Sequence, residues 1–222
     1  MLNPYREIME TAAQEGSAAQ RRIRQALLSL MREQPLDQIR VKEICSAAET
    51  ARSTFYVYYS NIHEVLEEEE NLLIRKMIQQ GTFSGEGKEK GQDSSGQTGM
   101  GFLAWSREFA IRIWSCCTQE RTAWEVLLSR QTDSQFDQKL ETGLEYILWE
   151  HFYSGSEGEH PEANLVLSMV SALIIRALRY ELLEVSPGSS QQVHPVDAVC
   201  EALDFVEKKS EKVIPKCRVL RT

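Results

Sequence analysis

The sequence predicts an all-α protein, and three observations lead to this class. Apolar residues recur at helical spacing in one segment of the 222-residue chain after another. Clusters of Gly, Pro, Ser and Asn separate these segments. No segment shows the apolar and polar alternation of a half-buried strand. About nine helices are expected from this spacing.

The first three predicted helices form a small head. The first helix runs from Ala18 to Arg32, and Pro35 ends its apolar pattern. A short second helix runs from Val41 to Ala48, and a third runs from Arg52 to about Tyr58. Two short helices joined by a brief turn, behind a longer supporting helix, are the arrangement of a helix-turn-helix, here at about residues 40–59.

The fourth predicted helix is long and carries an acidic run. Asn61 and Glu64 have the spacing of a capping box that opens a helix reaching about Gln80. The run Glu67 to Glu70 lies in the middle of this helix. Adjacent carboxylates on a helix diverge by about 100° per residue, so they do not converge on an ion. We therefore expect a solvated face here and no metal site.

A loop and five further helices complete the chain. Residues 81–99 are rich in Gly, Ser, Gln and Lys and nearly lack apolar residues, which predicts a flexible loop. The predicted helices after it run from Gly101 to Cys117, Glu120 to Arg130, Ser134 to Tyr153, Pro161 to Val185, and Val196 to about Lys212.

Charge is distributed unevenly along the chain. Residues 17–60 carry seven basic and four acidic side chains, a net charge of +3, although the whole chain carries −8. A basic head can approach phosphates while an acidic body repels non-specific contact with DNA. The distribution therefore permits a nucleic-acid partner that the net charge alone argues against.

Composition argues against several classes of protein. The uncharged stretch from Ala163 to Ile175 is too short to cross a bilayer, and charged residues occupy the N-terminus where a signal peptide needs an apolar run. We expect a cytoplasmic protein with no membrane partner. The five cysteines lack CxxC spacing, and no histidine cluster has metal-ligand spacing, so neither a metal nor a cofactor is expected. The vicinal pair Cys116 and Cys117 is the one candidate for a thiol sensor.

Two short segments carry a resemblance to a known family. The segment from Val41 to Cys45, followed by the segment from Ser53 to Tyr59, resembles the DNA-binding domain of TetR/AcrR regulators. The resemblance extends over about residues 17–77, whereas the rest of the chain matches only in its helical layout. It implies a DNA-binding domain at 17–77 and a regulatory and dimerisation domain at 78–222.

The predicted DNA contacts are basic or hydroxyl side chains of the two short helices: Lys42, Arg52, Ser53, Thr54, Tyr56 and Tyr58. A recognition helix directs its N-terminal residues at base edges, so Arg52 and Ser53 are the expected base readers. The resemblance places phosphate contacts at the three later positions, and Lys42 is expected to reach a phosphate or a base edge from the side. Phe55 and Tyr59 are expected to pack in the head.

Three positions depart from the family pattern. Glu49 replaces the glycine that usually ends the second helix, so we expect strain or a reshaped turn there. Ala51 replaces the hydroxyl residue that caps the third helix, leaving Thr50 as a substitute cap. Ile62 replaces a lysine, so one phosphate contact is lost.

The resemblance also implies the role of the body. Its last two helices are expected to form a homodimer interface, and the middle helices a pocket for an unidentified small-molecule effector. Candidate pocket residues are Trp105, Phe109, Trp124 and Trp149, for which ordinary core packing is the alternative.

The expected function is a ligand-responsive repressor that binds double-stranded DNA at a palindromic operator as a dimer. The alternative is a co-regulator of the same fold that has lost operator affinity and acts through protein contacts. The sequence has no Ser/His/Asp or Cys/His order and no phosphate-binding glycine loop, so an enzyme is not expected.

Overall fold

A computed structural model describes residues 16–82, 102–129, 135–152, 161–184 and 197–201. The α-helices in this part of the chain are α1 (Ala18–Met31), α2 (Val41–Ala47), α3 (Arg52–Tyr58), α4 (Ile62–Gly81), α5 (Phe102–Gln119), α6 (Arg121–Leu128), α7 (Gln135–Phe152) and α8 (Pro161–Arg179). A 3-10 turn, Leu36–Gln38, precedes α2, and a π-helical turn, Tyr180–Glu184, continues α8. Residues 197–201 are helical, where the ninth helix was predicted. The described residues contain no strand, and the all-α prediction is confirmed.

Helix α1 begins where its sequence carries a complete capping box. The Ser17 hydroxyl accepts a hydrogen bond from the Gln20 backbone N–H at 3.3 Å, and the Gln20 side-chain oxygen accepts one from the Ser17 N–H at 2.8 Å. Two of the backbone donors that a helix start leaves unpaired are thereby satisfied. The apolar face of α1 buries Ile23 and Leu27 against α2 and α3, and α1 also contacts α6.

The chain divides into two compact units. The first comprises Met1–Met77 and Gln119–Gly143, and the second comprises Ile78–Thr118 and Leu144–Thr222. The predicted DNA-binding segment 17–77 therefore lies wholly in the first unit, together with α6 and the first part of α7.

In the first unit, a buried arginine joins α1 to α4. Arg24 leaves only 5% of its side chain exposed, and its Nη1 lies 3.1 Å from Glu68 Oε1 while its Nε lies 2.9 Å from Glu69 Oε2. The Tyr59 hydroxyl donates a short hydrogen bond to the other oxygen of Glu68. The end of α3 is thus attached to α4 through the same carboxylate that pairs with α1.

A second ion pair extends this arrangement along α4. Glu70 is buried, and Lys139 of α7 lies 2.7 Å from its Oε2. Lys76 is half-exposed, and its Nζ lies 2.6 Å from Glu120 Oε1. The prediction that Glu67 to Glu70 form a solvated face was therefore wrong for three of the four positions, because cations from α1 and α7 lie opposite them; only Glu67 is exposed.

The start of the predicted flexible loop also differs from expectation. Gly81 is the last residue of α4 and is buried in the second unit. A Cβ built there would lie 2.9 Å from Ile147 Cδ1 and 3.1 Å from a Phe109 ring carbon, so a larger residue would force these side chains to shift. The remainder of the predicted loop, from residue 83 onward, lies outside the described residues.

Among the described helices, none is both long and apolar enough to span a membrane.

Candidate nucleic-acid interface

The turn between α2 and α3 is closed by a residue in the left-handed region. Glu49 has φ of +49°, and the Thr50 backbone N–H donates to the Cys45 carbonyl oxygen at 3.0 Å. This is the hydrogen bond that closes a helix C-terminus when the residue after it turns left-handed. The left-handed turn is therefore formed without glycine, and Glu49 adopts a backbone conformation that costs a residue with a Cβ about 1–3 kcal/mol.

Helix α3 begins without a side-chain cap. Ala51 occupies the N-cap position, and no side chain bonds to the first backbone N–H groups there. The prediction that Thr50 substitutes as the cap was wrong. With Ala51 in extended conformation at the boundary, Thr50 stands one residue too early to act as the N-cap. The backbone N–H of Phe55 still bonds to the Ala51 carbonyl oxygen, at 3.1 Å, so the helix itself is regular.

One face of α3 is part of the core. Phe55 is fully buried and its ring lies 5.7 Å from that of Tyr59, which is also buried. Burial, together with the hydrogen bond to Glu68, raises the pKa of Tyr59, so this phenol stays protonated and acts as a donor. Both residues pack in the head as expected, and they determine which face of α3 points outward.

The opposite face of α3 carries the predicted DNA contacts. Arg52 and Ser53 are exposed at its first turn, and Thr54 is half-buried. Tyr56 is 58% exposed and Tyr58 39%. Every predicted contact on α3 except Thr54 is therefore exposed, and so is Lys42 near the start of α2.

The two predicted cationic contacts are not used by the fold. Within the described residues, neither the Arg52 guanidinium nor the Lys42 ammonium makes an ion pair or a side-chain hydrogen bond. This contrasts with Arg24, which is held between two carboxylates. The phosphate backbone of DNA attracts accessible cations that have no carboxylate partner.

Sequence reasoning missed one residue of this face. Val57 is 74% exposed, more than any other large apolar side chain with a described environment. The signal was available, since a residue two positions after buried Phe55 points about 200° away from it on a helix.

Lys42 borders an open groove of about 980 Å³ in the head. The groove is lined by residues of mixed charge from the end of α1, the 3-10 turn and α2: Leu30, Gln34, Asp37, Gln38, Arg40, Lys42, Glu43, Ser46 and Ala47. None of the aromatic residues predicted to line an effector pocket borders it.

Those aromatic residues have different environments. Trp124 is fully buried in the first unit, with its ring 5.8 Å from that of Phe136. Phe109 is buried in the second unit, and Trp149 is exposed. The side chain of Trp105 lies outside the described residues. The effector pocket stays a prediction.

The vicinal cysteines do not have the environment of a thiol sensor. Cys116 and Cys117 are both buried, and burial raises the pKa of Cys117 well above its usual value. A buried protonated thiol is a poor nucleophile. No group of three or more metal-ligating side chains occurs in the part of the chain that the structure describes.

Known proteins resemble this chain in structure and not in sequence. No protein-family model matches the chain, and no curated protein matches its sequence. Solved structures do match. The dihydroxyacetone kinase operon activator DhaS has a TM-score of 0.53 and 14% identity, over 89% of this chain and 99% of that one. A TetR transcriptional regulator from Rhodococcus sp. RHA1 has a TM-score of 0.50 and 14% identity, over 85% and 95% of the two chains.

The chain has a TetR-type fold. The resemblance predicted from Val41–Cys45 and Ser53–Tyr59 is thereby confirmed at the level of fold. The first of these structures is described as an operon activator and the second as a transcriptional regulator. The two short helices predicted to form a helix-turn-helix are α2 and α3, and the predicted supporting helix is α1, which contacts both.

Proposed function

We propose that the chain is a DNA-binding transcription regulator that acts as a homodimer, as a ligand-responsive repressor of a palindromic operator. The observation that carries this proposal is the outer face of α3. It combines exposed hydroxyls with Arg52 at the first turn, and Arg52 makes no ion pair with the described residues. A helix placed in the major groove presents this combination of groups to base edges and phosphates.

Each predicted contact has a role in this arrangement. Arg52 and Ser53 at the N-terminal end of α3 reach base edges, and Arg52 favours guanine, whose O6 and N7 accept a bidentate pair. Tyr56 and Tyr58 direct hydroxyls toward phosphate oxygens, and Thr54 does so from the helix flank. Lys42 adds a phosphate contact from α2. The positioning contacts outnumber the base contacts, as is usual at protein–DNA interfaces.

An apolar surface on α8 supports the homodimer. Leu165 is 65% and Met169 61% exposed, and they lie one helical turn apart. Tyr180 and Leu183 are further exposed apolar side chains in the π-helical turn that follows. A second copy of the chain would cover these groups and present a second α3 to the successive major groove, about 34–36 Å away.

A buried donor supports a ligand in the body. The indole Nε1–H of fully buried Trp124 has no hydrogen-bond acceptor among the described residues. A buried unpaired donor costs about 1–3 kcal/mol, which a carbonyl or hydroxyl oxygen of an effector would recover. An effector could bind better to a conformation in which the two α3 helices of the dimer do not match the spacing of successive major grooves. That preference alone would release the DNA.

A salt titration of DNA binding tests the proposal. Randomised duplexes are first enriched with purified protein and sequenced, and binding to the enriched site is then measured between 50 and 300 mM salt. A regulator loses affinity steeply, with a log–log slope of about −0.9 per phosphate neutralised. The variant Lys42→Ala should give a shallower slope by about one per subunit without changing base preference.

A second candidate function has its own support. The left-handed Glu49, the uncapped N-terminus of α3 at Ala51 and the apolar Ile62 at the start of α4 all weaken a DNA-binding head. A co-regulator that acts through protein contacts would tolerate these departures. In the titration, a flat response to salt at micromolar protein, with no enriched sequence, would favour this function over the regulator.

A further inference from the structure

We infer that Val57 determines base specificity by contacting the C5-methyl group of one thymine in each half-site. This inference rests on the proposed DNA-binding function and assigns one of its base contacts. It depends on the exposure of Val57, on its place on α3 and on the chemistry of an aliphatic side chain in the major groove.

The geometry of α3 puts Val57 on the face that would meet DNA. Phe55 is buried, which sets the inward direction, and Val57 points about 200° away from it. Ser53 lies one helical turn before Val57 and is likewise exposed, so the two side chains share one face. A duplex edge that meets Ser53 therefore also meets Val57.

The chemistry of valine limits the groups of DNA that Val57 can contact favourably. Val57 has no hydrogen-bonding group, whereas Tyr56 and Tyr58 beside it each carry a hydroxyl that can bond to phosphate. In the major groove the thymine C5-methyl is the apolar group among the base edges, and aliphatic side chains read it by contact. A β-branched side chain is also held in one rotamer on a helix, so its methyl groups are already oriented before binding.

The exposure itself is unfavourable without a partner. Valine is a weaker helix former than alanine, and α3 has only seven residues and no N-terminal side-chain cap. An exposed valine there neither packs in the core nor strengthens the helix. Burial of one methyl group against it on DNA binding corresponds to about a fourfold gain in affinity for each half-site.

Single replacements of thymine by uracil test the contact, because they delete only the C5-methyl group. Each thymine of the enriched site is replaced in turn, and binding is measured for the wild type and for Val57→Ala. The wild type should lose about fourfold in affinity at one thymine of each half-site. Val57→Ala should be insensitive to the same replacement and should bind the uracil site as well as the wild type does.

Two controls accompany this test. Ser53→Ala alters the same face one turn earlier and should retain the full fourfold loss on uracil replacement at the Val57 thymine. Val57→Ala should stay folded by circular dichroism, because the side chain is exposed and alanine is the better helix former.

The outcomes separate the inference from the proposed function. If the enriched site is bound but uracil replacement affects the wild type and Val57→Ala equally at every thymine, the inference is wrong and the regulator remains. If no sequence is enriched, and the chain does not bind DNA, the regulator function fails and the inference fails with it. Val57 would then belong to a protein-contact surface.

Discussion

Helices α1 and α4 begin with side chains that cap them, whereas helix α3 does not. Ser17 and Gln20 form a complete capping box at α1. At α4 the Asn61 side chain accepts from the Glu64 N–H at 3.1 Å, and Glu64 accepts in return from the Ser60 N–H at 2.7 Å, one residue before the predicted donor. Helix α3 follows a left-handed Glu49 and starts at uncapped Ala51.

The two regions also use their charges differently. Arg24 of α1 is buried between two carboxylates of α4, while Arg52 of α3 is exposed and makes no ion pair with the described residues. Helices α1 and α4 therefore use these polar groups for the fold, whereas the outer face of α3 leaves its own accessible. Substitutions in the first region should change stability, and those in the second should change binding.

The largest effect is expected from Arg24→Met. It removes the buried cation from the partly exposed Glu68 and Glu69, so we expect a loss of about 3 kcal/mol, the lower end of the range for a broken buried ion pair. Urea unfolding at pH 7 should show a loss of this size. The matched variant Arg52→Met should change the free energy of unfolding by less than about 0.5 kcal/mol. Similar losses for both variants would contradict the division between the two regions.

Arg52→Ala should have the next largest effect, on DNA binding alone. Loss of a base contact should cost about 1–3 kcal/mol and relax base preference at one position of each half-site. Binding to the enriched site and to its single-base variants measures both quantities. Uniform weakening on every sequence would instead make Arg52 a phosphate contact.

A cap added at the start of α3 should stabilise this helix. Ala51→Ser places a hydroxyl at the N-cap, where it can accept from a first-turn backbone N–H, and should raise the free energy of unfolding by about 1 kcal/mol. Ala51→Val, which adds bulk without an acceptor, should bring no gain. Equal stability of the serine variant and the wild type would mean that another group already satisfies these donors.

Relief of the left-handed conformation at Glu49 should have a smaller effect. Glu49→Gly removes the Cβ at a position with φ of +49° and should stabilise the protein by about 0.5–1 kcal/mol, after the entropy of glycine in the unfolded chain is allowed for. Glu49→Ala removes the same charge but keeps the Cβ. A gain in the alanine variant as large as that in the glycine variant would attribute the effect to charge.

The smallest effect concerns the pH dependence of stability. Burial raises the pKa of Glu69, although Arg24 opposes this shift. Because the folded pKa lies above the unfolded one, the contribution of Glu69 to stability is complete below the unfolded pKa and is lost as pH rises through the folded pKa. The stability of the wild type relative to Glu69→Gln should therefore be higher at pH 4 than at pH 7. Exposed Glu67→Gln is the control, and a difference that grows with pH would reverse the assignment.

Much of the architecture could be predicted from local sequence. For most helix ends, the helical spacing of apolar residues predicted the position to within a few residues. The resemblance to the family added the packing of Phe55 and Tyr59 in the head, and both are buried. Periodicity has this power because helix formation and burial of one face depend on neighbours within a turn or two. The same rule, applied to the outer face of α3, would have found Val57.

Pairing between distant segments could not be predicted in this way. The acidic run of α4 has the pattern of a solvated surface, and Arg24 stands 44 residues before Glu68, with nothing in either local pattern to indicate the other. Lys139 is 69 residues beyond Glu70. The choice of partner for a buried charge depends on which helices pack together.

The sequence by itself therefore determined the class of fold and the positions of most helices, α3 among them, because these follow from the order of apolar and polar residues along one turn. Only the tertiary structure decided which charges are buried and paired and which are free to meet a ligand. Burying a charge is favourable only where an opposite charge is brought to it, and that juxtaposition exists only in the folded chain.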